Sequence, residues 1–362
     1  MRPPALLQMP LSSLTPILGR NDSSDLSLPW RGWALLVLTA ICLTPLAAAA
    51  SELELGKQVP RQGDEIMVCG QLFHTTAPVV LWLDPGGYDA YRVERRFAPL
   101  EKSSWEASSK ENPHLDTPNR YGLRKAGLTD KQLQQVRGGG WDLPLLQKVV
   151  DQFVMHYDVC GYSQKCFRVL QDDRGLSVHF MLDIDGTIYQ TLDLKERAWH
   201  ATRSNTRSVG IEIASIGAYP KDKKSVLDQW YTTAPDGTIR LRPPRQLGPL
   251  GLRTRHFEGR PDRQELIVGT IQGIELYQYD FTPQQYDSLI KLTATLCRIF
   301  PLLKCTYPRD ANGRLISHQL TDAQWKNFHG LLGHYHIQKN KTDPGPAFNW
   351  KKVIGGATRL LP

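Results

Sequence analysis

Three potential metal ligands stand in separate parts of the chain. His156 lies near the end of the apolar run 153–157, His334 follows a Leu-Leu pair by one glycine, and Asp343 stands nine residues after His334. Two imidazoles and one carboxylate leave a fourth tetrahedral position for water, which is the pattern of catalytic rather than structural zinc. By spacing alone this is weak evidence for a metal site.

The chain has ten histidines, and any one of them is more often a surface or hydrogen-bonded residue than a ligand. His329 and His334 are five residues apart, so they do not share a helical face as i and i+4 ligands do. His336 could act as a ligand only by replacing His334, and an ordinary loop position is the stronger interpretation. His256 and His318 lack any ligand context, and His179 lies in the predicted hairpin strand, where packing against a substrate wall or the core is the stronger interpretation.

The elements that must position these residues mix strands with helices. Residues 66–68, 79–83, 153–157 and 209–214 are apolar runs typical of strands, and residues 178–182 and 187–190 flank the turn pair Asp185-Gly186 of a predicted hairpin. Thr282-Pro283-Gln284-Gln285 starts a helix with an N-cap, a proline and a capping glutamine, and Pro301 ends it. The pattern predicts an α/β domain with a central mixed β-sheet flanked by helices.

The first 50 residues have the order of a secretory signal. A basic flank precedes the apolar stretch 33–43, and small residues at 47–50 predict cleavage near Ala50. An uncleaved membrane anchor is the competing interpretation, which Pro45 and the shortness of the apolar stretch disfavour. Both alternatives predict export.

The rest of the chain divides by composition. From the pattern of the sequence we predict a small β-rich accessory region at residues 51–139 and the main domain at residues 140–355. Within that domain, residues 217–273 are rich in arginine, proline and glycine, which predicts a surface insertion. Its arginines could bind ligand carboxylates, although charged stretches usually only face solvent.

Five cysteines follow residue 50. In an oxidising compartment the two close pairs, Cys160 with Cys166 and Cys297 with Cys305, are natural candidates for disulfides, which leaves Cys69 unpaired. The alternative is that all five are small buried hydrophobic residues.

Four blocks of sequence, taken in order, resemble one family. They are VMH at 154–156, SVHFMLDIDGTIYQTLDLKERAWHA at 177–201, SVGIEIA at 208–214 and GHYHIQKNKTDPGPAFNW at 333–350. Together they resemble the zinc-dependent N-acetylmuramoyl-L-alanine amidases of the AmpD type, which are related to the peptidoglycan recognition proteins. The resemblance implies the amidase and recognition-protein fold for residues 140–355.

The resemblance also implies the roles of individual residues. It makes His156, His334 and Asp343 the ligands of Zn²⁺, where active animal recognition proteins use cysteine as the third ligand. Glu212 becomes the catalytic carboxylate and Lys341 a transition-state stabiliser. Trp199 and His200 become part of the substrate-groove wall, and Cys160 with Cys166 resembles the disulfide near the first ligand in animal recognition proteins. Glu212 lies in an apolar run, and the alternative is that an alternating strand turns it to solvent.

The implied function is hydrolysis of the amide between the lactyl group of N-acetylmuramic acid and the first L-alanine of the stem peptide, outside the cytoplasm. The expected partners are peptidoglycan or muropeptides, with no nucleic acid and no stable protein partner. A net charge of +8 suits work against an anionic cell wall, although a solvated basic surface explains it nearly as well. The alternatives are a non-catalytic peptidoglycan-binding module on the same fold and a zinc hydrolase acting on another amide.

Overall fold

The computed structural model of the chain describes residues 55–56, 59–91, 121–125, 127–137 and 140–362. The chain divides into two compact units, Met1–Gln58 and Val59–Pro362, and only residues 55–56 of the first unit are described. The predicted signal segment therefore lies outside the described residues. Within the described ranges, no helix has both the length and the apolar character that a membrane crossing requires.

A six-stranded mixed sheet forms the centre of the second unit. In spatial order its strands are β14 (Gly330–Gly333), β5 (Gln152–Tyr157), β9 (Ser208–Ile213), β6 (Phe180–Leu182), β7 (Ile188–Gln190) and β3 (Val79–Leu81). The first four strands run parallel, β7 is antiparallel to β6, and β3 is parallel to β7. The prediction of a central mixed sheet, and of the hairpin around Asp185-Gly186, is confirmed.

The remaining strands form two-stranded antiparallel pairs. These are β1 (Glu65–Val68) with β2 (Gln71–His74), β4 (Tyr121–Gly122) with β8 (Arg197–Ala198), β10 (Tyr231–Thr233) with β11 (Ile239–Leu241), and β12 (Ile267–Ile271) with β13 (Ile274–Gln278). The α-helices among the described residues are α1 (Asp130–Arg137), α2 (Leu143–Leu146), α3 (Ser163–Arg168), α4 (Ser225–Asp228), α5 (Pro283–Ile299), α6 (Asp322–Asn327) and α7 (Trp350–Leu360).

Alternation along the strands gives the central sheet two different faces. Phe153 and Met155 of β5 point into the main hydrophobic core, with Tyr286 and Leu289 of α5 and Val353 of α7. The helix α5 begins as predicted, because the Thr282 side chain accepts the Gln285 N–H and the Gln285 side chain accepts the Thr282 N–H. The opposite face of the sheet is left for polar side chains and smaller apolar clusters.

The predicted accessory region contributes directly to this sheet. Val79–Leu81 forms its edge strand, and Ile66 and Val68 of β1 are fully buried in the main core. A pairing between β3 and β7 joins residues about a hundred positions apart, for which the sequence carries no local signal. The boundary between an accessory region and the main domain near residue 139 stays a prediction.

The stretch 217–273 is only partly a surface excursion. Leu227, Trp230 and Leu241 are buried, and they form a small apolar cluster with Ile184 and Ala214 next to the sheet. Trp230 packs against Gly161, where an added Cβ would come within 2.3 Å of the indole ring. The stretch therefore supports the loop that follows the β5 strand, which the composition of the sequence did not suggest.

Candidate metal centre and catalytic pocket

Parallel pairing brings His156 and Glu212 side by side. Residues of β5 and β9 pair in register, and His156 lies opposite Glu212. Register partners on parallel strands project to the same face, so both side chains leave the sheet on the face away from α5. The neighbours Val209, Ile211 and Ile213 point into the main core instead. The question that the sequence left open is thereby answered, because Glu212 faces the same pocket as His156.

His334 arrives from the other neighbour of β5. The strand β14 pairs with β5 up to Gly333, opposite Met155, so His334 leaves the sheet next to His156. Asp343 lies on the loop that follows, and the Thr342 hydroxyl is 2.6 Å from the Tyr157 hydroxyl at the end of β5. The strand and the loop are thus joined directly beside the carboxylate.

Three side-chain atoms of these residues form a nearly equilateral triangle. Nδ1 of His156 lies 3.0 Å from Nδ1 of His334 and 2.9 Å from Oδ2 of Asp343, and the third side, from Nδ1 of His334 to Oδ2 of Asp343, is 3.0 Å. A tetrahedral zinc ion with bonds of about 2.0–2.2 Å holds its ligand atoms roughly 3.3–3.6 Å apart. All three residues are buried, so the sequence-predicted set converges on one point that could hold a metal ion.

Hydrogen bonds behind the triangle leave the ring nitrogens suited to metal binding. Nε2 of His334 lies 2.6 Å from Oε1 of Gln338, and an amide oxygen can only accept, so Nε2 carries a proton and Nδ1 is the nitrogen left for a metal. Nδ1 of His334 then presents a lone pair to the Asp343 carboxylate. A proton on Nδ1 or a metal ion between the two atoms makes that approach favourable, and two imidazole nitrogens with one carboxylate are a donor set that fits a divalent metal.

His156 has a similar partner behind it. Its Nε2 lies 3.0 Å from Nδ1 of His200, and Nε2 of His200 lies 3.2 Å from the Ser208 hydroxyl. With Nε2–H of His156 donated to His200, Nδ1 of His156 keeps its lone pair for a metal. Sequence reasoning missed Gln338 and assigned His200 only to the pocket wall. A search for a hydrogen-bond partner four residues after His334 could have found Gln338.

Burial and close contact shift the pKa values of three side chains at this site. Burial, together with the neighbouring His334, lowers the pKa of His156 to about 4, so its ring is neutral at pH 7. Burial opposes ionisation of Asp343, but the two imidazoles outweigh it and hold the pKa of that carboxyl below its usual range. Burial, reinforced by the Asp343 charge, raises the pKa of Glu212 well above its ordinary value. A raised pKa suits a carboxyl group that must both accept and donate a proton.

An open pocket of about 360 Å³ surrounds the triangle. Its polar side is formed by the three candidate ligands and by Glu212, Lys341, Trp199, His200 and Gln338. An apolar side is formed by Val159, Val169, Leu170 and Leu176. The pocket therefore collects all seven predicted metal-binding, catalytic and substrate-binding residues, and a pocket of this size can hold part of an extended ligand.

The other histidines lie elsewhere, as the sequence predicted. His336 is fully buried, where Nδ1 accepts the Gly333 N–H and Nε2 donates to the Ile316 carbonyl, so its ring is satisfied away from the triangle. His179 is also fully buried, and its Nδ1 accepts the Gly210 N–H. Neither ring contributes a nitrogen to the candidate metal centre.

The comparisons with known proteins bear on the same part of the chain. Residues 146–247 match the family model described as N-acetylmuramoyl-L-alanine amidase. This stretch of the chain is similar to that amidase family. The matched span contains His156, Trp199, His200 and Glu212, and it ends before His334. The comparison with curated protein sequences finds no match.

Several solved structures are similar to this chain. They include a selenomethionine AmpD derivative, at 17% identity over 66% of this chain and 89% of that one with a TM-score of 0.31. An N-acetylmuramoyl-L-alanine amidase endolysin, LysCS from Clostridium intestinale, matches at 16% identity over 60% and 88% of the two chains with a TM-score of 0.31. The amidase AmiD from E. coli, solved with an anhydro-N-acetylmuramic acid peptide, matches at 17% identity over 57% of each chain with a TM-score of 0.32. Likenesses this weak do not assign an activity.

The predicted disulfide partners Cys160 and Cys166 both line the pocket. Both are free thiols in this structure. The side-chain hydrogen bond from Cys160, together with burial, holds the pKa of Cys166 well above its usual range. The second pair, Cys297 and Cys305, also consists of free thiols that share a hydrogen bond. A disulfide at either pair stays a prediction.

We expect Cys160 and Cys166 to form a disulfide in protein recovered from an oxidising compartment. The chain-entropy model gives a bridge across so short a loop about 2–3 kcal/mol of stability, so reduction should lower the free energy of unfolding by that amount. Alkylation after unfolding, followed by peptide mapping, should label Cys69 without prior reduction but label Cys160 and Cys166 only after it. Labelling of both without reduction would rule the bridge out.

Proposed function

We propose that this chain is an exported zinc-dependent N-acetylmuramoyl-L-alanine amidase. It hydrolyses the amide between the lactyl group of N-acetylmuramic acid and the first L-alanine of the stem peptide. The observation that carries the proposal is the convergence of His156 Nδ1, His334 Nδ1 and Asp343 Oδ2 in the pocket that also contains Glu212. The amidase-family match over residues 146–247 supports the choice of substrate class.

The chemistry of the site follows from its side chains. Zinc bound by His156, His334 and Asp343 would polarise the scissile carbonyl and activate a water molecule. Glu212 removes one proton from the attacking water and delivers it to the nitrogen of L-alanine as the C–N bond breaks. The second water proton stays on the new carboxyl group and then passes to the released amine, so the products are the lactyl carboxylate and the ammonium group of the stem peptide.

The other pocket residues orient the substrate and stabilise charge. The Lys341 ammonium group lies on the pocket wall and offsets the negative charge that develops on the carbonyl oxygen. Trp199 and His200 form part of the wall that receives the substrate. The net charge of +8 favours approach to an anionic cell wall, and the predicted signal segment directs the protein to the cell envelope or the periplasm, or out of the cell.

The products of hydrolysis test the proposal directly. Purified protein is incubated with intact sacculi and with soluble muropeptides, and the products are identified by mass. Free stem peptides together with intact glycan chains are the expected result. Shortened glycans would mean that another bond is cleaved, and binding without any product would mean a recognition module.

Zinc content should depend on each of the three ligands. Replacement of His156, His334 or Asp343 by alanine removes one of three ligand atoms and should reduce bound zinc toward zero and abolish hydrolysis. Elemental analysis of the purified variants measures the first effect. Asp287→Ala, at an exposed position on α5, is the matched control and should keep the zinc content of the unaltered protein. An Asp343→Ala variant with full zinc and full activity would overturn the ligand assignment.

Glu212 and Lys341 should affect the reaction without affecting zinc. Glu212→Gln keeps the shape but cannot accept the proton, so kcat should fall by roughly 10²–10⁴ with zinc retained. Glu275→Gln, at an exposed carboxylate on β13, is the control and should leave kcat unchanged. Near-normal turnover of Glu212→Gln would mean that another group removes the proton.

Lys341→Ala should lower kcat by about 10²–10³, as the loss of an oxyanion-stabilising donor does. Because Lys341 stands two residues before Asp343, zinc is measured on the same preparation to separate a lost charge from a disturbed ligand loop. Lys339→Ala removes an exposed ammonium group from the same loop and should have little effect. Equal losses in the two variants would contradict a specific role for Lys341.

A further inference from the structure

A buried arginine connects the N-terminal part of the chain to the pocket wall. Arg124 is fully buried, although it lies outside the span that matches the amidase family. It follows β4, and β4 pairs with β8 so that Tyr121 lies opposite Ala198 and Gly122 lies opposite Arg197. The strand β8 leads directly into Trp199 and His200 of the pocket wall. The pairing therefore delivers Arg124 to the back of that wall.

The guanidinium group of Arg124 binds the two ends of one segment, residues 194–208. Nε donates to the Leu194 carbonyl at 3.1 Å. Nη1 donates to the carbonyls of Asn205, Thr206 and Ser208 at 3.2, 2.9 and 2.9 Å. A planar guanidinium presents its donors in a rigid fork, so one side chain ties together carbonyls that are up to fourteen residues apart.

The segment that Arg124 closes carries His200 at its centre. Asn205, whose carbonyl accepts from Arg124, uses its side-chain oxygen to accept the N–H groups of His200 and Ala201 at 3.1 and 2.6 Å. Ser208, another carbonyl partner of Arg124, presents its hydroxyl to Nε2 of His200 at 3.2 Å. The same residues therefore bind Arg124 through their backbone and His200 through their side chains.

Close packing also fixes the His200 ring. The ring lies against Gly210 of β9, where an added Cβ would come within 2.5 Å of the imidazole. From this position Nδ1 of His200 faces Nε2 of the candidate ligand His156 at 3.0 Å. A chain of contacts thus runs from Arg124 through the closed segment to a metal-binding ring.

We propose that Arg124 is a positioning residue that holds residues 194–208 closed, so that His200 keeps the His156 ring oriented toward the metal. The orienting of a metal ligand rests on the proposed function, whereas the closing of the segment does not. Four backbone carbonyls accept from Arg124, and its Nη2 lies 2.9 Å from Nε2 of the buried His179, while no carboxylate of the described residues forms an ion pair with it. Its removal leaves those carbonyls unpaired and the segment free to open.

Hydrogen exchange followed by mass spectrometry tests the closing of the segment on the metal-free protein. In Arg124→Gln, amide exchange in peptides from 194–208 should rise at least about tenfold, because an opened segment loses its protection. Exchange in α5 should stay unchanged. Arg124→Lys keeps the charge but has only three donors on one atom, so it should give a smaller increase in the same peptides.

Arg61→Gln is the matched control. Arg61 is a partly buried arginine in the same N-terminal region, where it pairs with Glu65 and Asp84 rather than with the pocket wall. Its replacement should leave exchange in 194–208 unchanged. Zinc affinity should fall about 10- to 100-fold in Arg124→Gln, as it does when a residue behind a metal ligand is removed, and should stay constant in Arg61→Gln.

Each outcome decides between local positioning and a general structural role. Unchanged exchange in 194–208, or a uniform rise across the sheet and α5, would overturn the proposal. Failure of both Arg124 variants to fold would overturn it too, because Arg124 would then support the whole unit. If Arg124→Gln opens residues 194–208 but the unaltered protein cleaves no muropeptide, the closing of the segment by Arg124 stands and the proposed amidase activity is rejected.

Discussion

The parallel pairing of β5 with β14 on one side and β9 on the other is the constraint on which the site depends. The pairing places His156 opposite Glu212 of β9. It also places Met155 opposite Gly333 of β14, so the next residues of the two strands, His156 and His334, leave the sheet side by side. A slip of one residue would turn every side chain of β5 to the opposite face and remove His156 from the pocket. Phe153 and Met155 resist that slip, because both are fully buried in the main core on the other face.

Burying polar side chains on one face of the sheet costs free energy, and hydrogen bonds from residues behind them offset that cost. Gln338 and His200 each engage the outer nitrogen of a candidate ligand, and both stand on loops rather than on the sheet. Loops hold a fixed geometry only when other contacts restrain them. The ligand loop is restrained by Gln278 of β13, whose side chain donates to the Pro344 carbonyl and accepts the Ala347 N–H. Contacts from the surrounding chain to these loops therefore determine the orientation of the metal-binding atoms.

Local signals in the sequence were sufficient for β5, β9, the hairpin and the start of α5. Apolar runs predict β5 and β9, the Asp185-Gly186 pair predicts the turn, and the Thr282 capping box predicts the helix start. The convergence of His156, His334 and Asp343 was predicted by resemblance, since residues almost two hundred positions apart carry no local evidence of contact. That Glu212 faces the pocket needed the strand register.

Other features could not be predicted because they exist only in the folded chain. Nothing around Arg124 in the sequence indicates a buried residue, since arginine is usually exposed and its partners lie about 55–84 residues away. The pairing of β3 with β7 and the packing of Trp230 on Gly161 are likewise long-range contacts. Both features lie in stretches whose composition suggested a separate accessory region and a surface insertion. Composition reports the average character of a segment and misses the few residues that dock it.

Anomalous diffraction at the zinc absorption edge, from crystals of the full chain grown with zinc, tests the central claim most directly. The account predicts one strong anomalous peak in the pocket, within about 2.0–2.2 Å of Nδ1 of His156, Nδ1 of His334 and a carboxylate oxygen of Asp343. A peak bound by other residues, or no peak in the pocket at saturating zinc, would contradict it.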